Sequence, residues 1–356
     1  MKEKNMVAGA GSSRTVIAGV IGLRGKEVTN CLFPRTTVPA TWLWRAIGFT
    51  LTIIFLMPVS SWAHGFAGKR FFTTTLSVED PFVSDELSFL IGHIREPGGG
   101  EEPPMNSTEI SLDYSKRITP HLGISIGESF LHLNPDEGKS ESGFGNLELG
   151  LKYQFLMNEE HEAILSFGVD AEIGGTGADR VGADSFSTLS PLLFFGKGLG
   201  DLPESVKFLR PFAFTGVIGP NFPTRSKNVI TTLNKGTGEI EQEVERNPVT
   251  LTWGFSIQYS LQYLQSFVKD IGLGSPLNRM IVLVEFPLET CLNRGCGGQT
   301  TGFVNPGIIW VGKSVQFGIE AQIPINERTG KNVGVLGLVH FFIDDLFPKS
   351  LGKPLF

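Results

Sequence analysis

Cysteine, charge and long hydrophobic runs are all scarce in this 356-residue chain. Three cysteines are too few for the disulfide-dense scaffold of a small secreted domain. Charged residues make up 19% of the chain and the mean hydropathy is close to neutral, which excludes both a disordered chain and a bundle of membrane helices. The 44 glycines instead favour many strands joined by glycine-rich turns.

The most hydrophobic stretch, residues 46–59, is about fourteen residues long, shorter than the roughly 20 that a membrane helix needs. Arg45 precedes it, and the small residues Ser61 and Ala63 follow it. This pattern predicts a secretory signal that is cleaved after Ala63. A retained membrane anchor stays open as the alternative.

Removal of residues 1–63 changes the charge balance, because this segment carries seven Lys or Arg and two acids. The formal net charge goes from −6 to −11 when these residues are taken away. Phosphate binding relies on basic patches, so an acidic protein is a poor partner for nucleic acid. We therefore expect no nucleic-acid partner.

Cys291 and Cys296 are the two cysteines that follow the targeting segment. A lone pair in an exported protein predicts a disulfide, with two free thiols as the alternative. A zinc site needs three or four ligands, and no histidine lies near this pair in the sequence. We expect neither a metal nor another cofactor.

Apolar and polar residues alternate in several segments, most clearly from Val249 to Leu261. Residues 147–155, 163–171 and 315–323 repeat the pattern. A period of two places the apolar side chains on one face of a strand. The segments run for nine to thirteen residues, which suits a tilted strand that crosses a membrane, whereas strands of soluble sandwiches have about five or six.

The same pattern along the chain predicts about twelve strands, at 85–94, 106–117, 121–132, 144–156, 160–173, 185–198, 207–219, 248–263, 279–290, 301–312, 315–323 and 332–343. Short gaps such as 157–159 and 312–314 alternate with longer, polar, glycine-rich ones. Short turns at one end and long loops at the other are expected of an outer-membrane barrel. Two gaps on the short side, 200–206 and 264–278, are longer than expected, and the charged loop 221–247 is consistent with a plug, a lid or a surface loop.

The predicted fold is therefore all-β: a transmembrane antiparallel up-and-down β-barrel of about twelve strands, located in the cell outer membrane. Four regions follow: a removed signal at 1–63, a periplasmic or plug segment at 64–84, the barrel at 85–343 and a C-terminal tail at 344–356. The aromatic residues at 340–342 resemble the terminal strand that barrel-assembly machinery recognises. That machinery, outer-membrane lipid and a small-molecule solute are the expected partners.

Three segments resemble a family of uncharacterised bacterial outer-membrane proteins: Gly143 to Phe155, Gly302 to Trp310 and Pro324 to Lys331. That family is similar to the outer-membrane transporters of the phenol meta-degradation pathway group. The resemblance covers most of the chain after residue 63 and implies an outer-membrane barrel. Its motifs are structural, and they carry no catalytic or binding residues.

Alternate residues of a strand face the lipid and the lumen. A Lys or Arg on the lipid face at the midplane of the membrane destabilises a barrel by roughly 2–4 kcal/mol, so charged side chains are expected on the lumen face. The predicted lumen-lining residues are Glu109, Asp113, Glu148, Lys152, Asp170, Glu172, Glu285, Glu289, Glu320 and His340. An acid-rich lining favours cations or solutes that donate hydrogen bonds. The alternative is that these acids pair with Lys152, Arg210 or backbone groups and fill a closed interior.

No catalytic residues are predicted, and we expect a protein that is not an enzyme. None of the histidines lies beside a serine in the way that an outer-membrane phospholipase requires. The predicted function is a channel or transporter that passes a small solute, hydrophobic and aromatic ones included, through the acid-lined lumen. A structural or adhesive barrel is the alternative. A lipid hydrolase is the third and most distant alternative, since it requires a Ser and a His that are adjacent across strands at the lipid boundary.

Overall fold

The computed structural model describes residues 65–98, 103–233, 240–294 and 296–356. The signal segment and its predicted cleavage after Ala63 lie outside these residues. Within them, twelve long strands form one antiparallel sheet: β1 (Glu86–Glu96), β2 (Met105–Arg117), β3 (Leu122–Pro135), β4 (Leu147–Asn158), β5 (Ala163–Ile173), β6 (Thr188–Gly198), β7 (Phe212–Pro223), β8 (Thr250–Ser260), β9 (Met280–Cys291), β10 (Thr300–Val311), β11 (Val315–Pro324) and β12 (Gly334–Phe342).

Each strand pairs with the next along the chain, and β12 pairs with β1, so the sheet closes into a barrel. The predicted fold class is confirmed. Each of the predicted strands is present, with ends displaced by at most five residues, the largest displacement being the start of β7. Closure satisfies the backbone groups of every strand, which a membrane requires because lipid offers no hydrogen bonds.

Burial along the strands is the reverse of that in a soluble protein. In β8 the polar residues Thr250, Ser256 and Gln258 are buried, while the apolar residues between them are partly exposed. Large apolar side chains such as Ile91 and Ile319 are about half exposed on the outer surface. The outer face is therefore apolar and the inner face polar, as in a barrel surrounded by lipid. Among the residues described, no helix is long and apolar enough to cross a membrane.

The two ends of the barrel differ. At one end, here the short-turn end, the strands are joined by tight turns such as 159–162 and 312–314. The two longer turns at this end contain short helical segments: Glu204–Leu209, Leu261–Tyr263, Leu264–Val268 and Leu277–Arg279. At the opposite, long-loop end, Lys227–Leu233 pairs with Ile240–Arg246 in a hairpin. A disulfide joins Cys291 to Cys296 at this end, with 5.7 Å between their Cα atoms.

Residues 70–85 run inside the barrel, and we call this segment the plug loop. Thr73 on its ascending leg donates a hydrogen bond to Gln316 (2.6 Å) near the short-turn end of β11. Ser77 donates to Glu320 (3.3 Å), about halfway along the same strand. The descending leg returns to the short-turn end, where β1 begins. The plug loop therefore enters and leaves at one end and reaches its highest point near mid-barrel.

Apolar side chains of the plug loop pack against the inner wall. Phe72 and Phe82 meet across the two legs, with ring centroids 5.7 Å apart. At the apex of the loop, residues 76–79, Val78 is buried in a cluster with residues of β6 and β7. The largest cluster contains Leu76 with apolar residues of β9 to β12: Ile281, Leu283, Ile309, Val311, Leu336, Leu338 and Phe342. One side of the lumen is therefore a dry core, and it fixes the apex in place.

The C-terminal tail lies across the short-turn end, beside the first turn. Lys116 Nζ donates to the carbonyl oxygens of Leu351 (2.7 Å) and Lys353 (2.6 Å). The Phe356 N–H donates to the Ile118 carbonyl (2.9 Å). These contacts hold the tail against the end of β2.

Candidate functional site

The ten side chains predicted to line the lumen fall into three groups in the structure. Five acids line hollows beside the plug loop: Glu109, Asp113, Glu148, Asp170 and Glu172. Glu285, Glu320 and His340 are buried against the plug loop, and Glu289 is buried between strands. Lys152 contacts the plug loop directly. All ten side chains lie on the inner side of the barrel wall. Their surroundings differ because the plug loop contacts some of them and leaves hollows beside the others.

Two adjoining hollows lie between the plug loop and the wall formed by β1 to β6. They share Asp113, Gly127 and Glu148 in their linings. The second hollow is also lined by Glu79, which belongs to the apex of the plug loop. The hollows therefore bring wall carboxylates and a plug carboxylate to one place.

Two glycines make room for these carboxylates. Gly127 lies in register between Asp113 and Glu148, and a Cβ atom at this position would be 2.9 Å from Asp113 Oδ1. A Cβ atom at Gly150 would lie 2.9 Å from Asp170 Oδ1. Real Cβ atoms essentially never approach so closely, so a larger residue at either position would push a carboxylate aside. Glycine here serves the site rather than a turn.

The hollows carry a surplus of acid. Glu148 and Glu172 face each other directly across β4 and β5, an arrangement that is unfavourable for like charges. Among the described residues, no Lys or Arg lines either hollow. Lys152 lies beside them with its Nζ 2.6 Å from Glu79 Oε1, and it donates to the Asp80 carbonyl at 2.8 Å. Such a surface attracts cations and groups that donate hydrogen bonds.

Glu285 holds the apex of the plug loop from the opposite wall. Its carboxylate is fully buried and accepts three backbone N–H groups: Leu76 (2.9 Å) and Ser77 (3.0 Å) on one oxygen, and Val78 (2.9 Å) on the other. Asn305 adds a hydrogen bond to the Ser77 hydroxyl (2.8 Å). Successive amides that converge on one carboxylate form an anion nest. This acid therefore has a structural role.

His340 is a packing residue beneath the plug loop. Its Nδ1 lies 2.9 Å from the Ser88 hydroxyl, and its Nε2 lies 3.5 Å from Thr74 Oγ1 and 3.7 Å from Glu86 Oε2. The ring has no exposed surface. Glu289 is also buried, and its carboxylate lies 3.5 Å from Asn221 Nδ2 on β7.

The short-turn end contains a cluster that sequence reasoning missed, which we call the latch: Arg70, Glu162 and Tyr263. Arg70 is 1% exposed, and its Nε donates to Glu162 Oε2 (3.1 Å). Its terminal nitrogens donate to the carbonyls of Arg210 and Pro211 (3.0 Å for Pro211). The Tyr263 hydroxyl donates to Glu162 Oε1 (2.8 Å), and the Arg70 guanidinium lies 3.8 Å from the centre of its ring.

The latch joins the ascending leg to three different turns. Glu162 has φ +46°, an uncommon left-handed conformation for a residue other than glycine, and its carboxylate also accepts the Gly200 N–H (3.0 Å). The arginine within the otherwise uncharged, aromatic stretch 70–78 was the signal available in the sequence. Its partner could not be deduced, because 92 residues separate the two.

We expect the Tyr263 hydroxyl to stay neutral to high pH. Burial, and then the hydrogen bond to Glu162, raise the pKa of Tyr263 to about 12. Since the unfolded value is about 10, the stabilisation from this neutral hydroxyl is complete below that pH and is lost as the pH rises through the folded value. In an alkaline absorbance titration, Tyr263→Phe should lack a tyrosinate step that the wild type shows near pH 12. Superimposable curves would contradict this assignment.

A serine and a histidine meet near the long-loop end, where β3 pairs with the short strand Glu141–Phe144. His132 Nδ1 lies 2.8 Å from the Ser142 hydroxyl, and His132 is exposed. A catalytic base needs a third group that orients it. No hydrogen bond among the described residues reaches His132 Nε2, so the pair is not a catalytic triad. The described part of the chain also contains no cluster of acids, histidines and cysteines that could hold a metal.

A closed barrel with an apolar exterior, a polar interior, an even number of strands and short turns at one end is the architecture of a bacterial outer-membrane protein. The predicted outer-membrane localisation is confirmed, with the short-turn end on the periplasmic side.

No protein-family model matches the sequence, and no curated protein matches it either. Among solved structures, the chain is similar to the KdgM porin, at 12% identity and a TM-score of 0.40 over 72% of this chain and 98% of that one. It is also similar to an outer-membrane channel from Pseudomonas putida F1, at 12% identity and a TM-score of 0.45 over 73% of this chain and 96% of that one. The translocator domain of the autotransporter NalP from Neisseria meningitidis is similar at 8% identity and a TM-score of 0.41, over 73% of this chain and 88% of that one. The fold assignment rests on the strand pairing of this chain, and nothing about a solute follows from these likenesses.

Proposed function

We propose that this protein is a gated outer-membrane channel for small solutes that carry positive charge or donate hydrogen bonds. The observation that carries the proposal is the pair of acid-lined hollows beside the plug loop, with no Lys or Arg in the linings of either within the described residues. The resemblance noted in the sequence extends the proposal to aromatic solutes with a hydroxyl group.

The plug loop decides how such a channel works. Its apex lies between these hollows and a third one, which Ser77, Val78 and Glu79 help to line. Glu79 lines hollows on both sides of the apex. Passage through the lumen therefore requires the apex to move. The solute has to bind in the hollow next to Glu79 before the movement of the apex can let it through.

The test is conductance of the refolded protein in a planar bilayer, with the selectivity between cations and anions taken from the reversal potential. Glu148→Gln and Asp170→Asn should each lower the preference for cations, because each removes a charge from the hollow. Glu204→Gln is the matched control, since Glu204 is exposed on a turn and pairs with Lys207 and Arg210. An anion preference in the wild type, or equal shifts in all three variants, would overturn the proposal.

A structural barrel without transport is the second candidate. The dense packing of the plug loop favours it, since Phe72, Leu76 and Val78 are each about 2% exposed. This candidate predicts a folded barrel that stays silent even when contacts of the plug loop are removed.

A further inference from the structure

The plug loop is attached at its two ends and at its apex in physically different ways. At the short-turn end, both legs are held by dry ion pairs: Arg70 with Glu162, and Asp85 with Lys116 (2.8 Å) and Arg117 (2.8 Å). Side chains in these pairs are at most 11% exposed. The ends of the loop are therefore fixed, because breaking a buried pair leaves an uncompensated charge.

The ion pair between Lys152 and Glu79 at the apex is more exposed to solvent than the pairs at the two ends of the loop. Lys152 and Glu79 are 17% and 20% exposed, and Glu79 lines the hollow that the wall acids share. A pair that reaches water contributes less to stability than a dry one, so it is the attachment most readily exchanged. Lys152 is also held by the ring of Phe194, whose centre lies 4.4 Å from its Nζ. The ring and the side-chain stem keep the ammonium near the apex whichever carboxylate it contacts.

A second carboxylate lies within reach on the wall. Lys152 pairs in register with Gly168 on β5, and Asp170 lies two residues further along that strand on the same face. Diagonal neighbours across a sheet are roughly 7–8 Å apart between backbones, which a lysine side chain spans. The ammonium can therefore move from the plug loop to the wall without leaving the acid hollow.

We propose that Lys152 is the gating residue of the channel. On Glu79 its ammonium keeps the Glu79 side of the apex closed. Transfer of the ammonium to Asp170 frees residues 79 and 80, while Glu285 still holds the N–H groups of residues 76–78, so that the hollows on the two sides of Glu79 join. The inference rests on the proposed channel function and adds its regulation. A cationic solute in the hollow favours the transfer because it competes with Lys152 for Glu79.

The test measures open probability in single-channel recordings. Lys152→Met keeps the stem over Phe194 and removes the charge, and Glu79→Gln removes the partner, so each should raise open probability about five- to tenfold. Asp170→Asn should lower it, because the wall position loses its charge. The charge swap of Lys152→Glu with Glu79→Lys should bring it back toward the wild type. Lys197→Met is the control, since Lys197 pairs with Asp201 at the short-turn end.

A second readout does not depend on conductance. Val78→Cys places a thiol at the buried apex, where a maleimide should label it slowly. Adding Lys152→Met should speed the labelling, and adding Lys197→Met should not. Equal labelling and equal open probability in the Lys152→Met and Lys197→Met variants would show that Lys152 does not gate the channel. If the cation selectivity still responds to Glu148→Gln in that case, the proposed channel function stands. If labelling is faster but the barrel never conducts, Lys152 still holds the apex, but the protein is not a channel and the proposed gating is wrong.

Discussion

Glu162→Gln is expected to destabilise the barrel by several kcal/mol. The substitution keeps the shape of the side chain but leaves Arg70 buried without a carboxylate. Removing one partner of a buried pair costs about 3–5 kcal/mol, because the remaining charge has no compensation. Unfolding in urea should begin at a clearly lower concentration, and the resting conductance should rise as the ascending leg loosens.

Asp201→Asn is the matched control for this prediction. Lys197 and His161 lower the pKa of Asp201, Lys197 through a hydrogen bond first and His161 after it. The pair is exposed, however, and such pairs contribute about 1 kcal/mol at most. If Glu162→Gln unfolds at the same urea concentration as Asp201→Asn, the latch does not hold the plug loop.

Glu285→Gln is expected to release the apex while both legs stay attached. A carboxylate accepts hydrogen bonds on both oxygens, whereas an amide accepts on one end and donates from the other. Whichever way the amide turns, at least one of the Leu76, Ser77 and Val78 N–H groups then faces another donor. Each buried group left unsatisfied costs about 1–3 kcal/mol.

The measurement for Glu285→Gln is hydrogen exchange at the three apex amides. Their exchange should accelerate about tenfold or more, since 1.4 kcal/mol corresponds to a factor of about ten. Glu289→Gln is the matched control, because this acid is also buried but accepts a hydrogen bond from Asn221 on β7. Unchanged protection at residues 76–78 in Glu285→Gln would contradict the role assigned to the nest.

The strands and the barrel class could be predicted from the sequence, because the period of two, the strand lengths and the alternating short and long gaps all indicate them. The period of two also predicts that the charged residues share one face. Glu148 and Glu320 illustrate this, since parity alone places both in the lumen. Parity could not separate their roles. Glu148 lines a hollow and Glu320 contacts Ser77 because of where the plug loop lies, and residues 70–85 have no periodicity from which to derive a path.

The latch was beyond prediction for a related reason. Arg70 finds Glu162, Pro211 and Tyr263 at positions 92, 141 and 193 residues away, and no local pattern connects them. The two unusually long turns at the short-turn end were visible in the sequence. Their use became clear only in three dimensions, where they supply the carbonyls of Arg210 and Pro211 and the hydroxyl of Tyr263.

The path of the plug loop also constrains how the chain folds. Thr73 and Thr74 contact Gln316 and His340, partners 243 and 266 residues further along the chain. Contacts of such high sequence separation slow folding, because the loop-closure entropy must be overcome before the contacts form. The plug loop, which precedes every strand of the barrel in the chain, therefore reaches its final place among the last. The contacts that hold it are complete only when β11 and β12 have joined the sheet, so the lumen is filled late in barrel assembly.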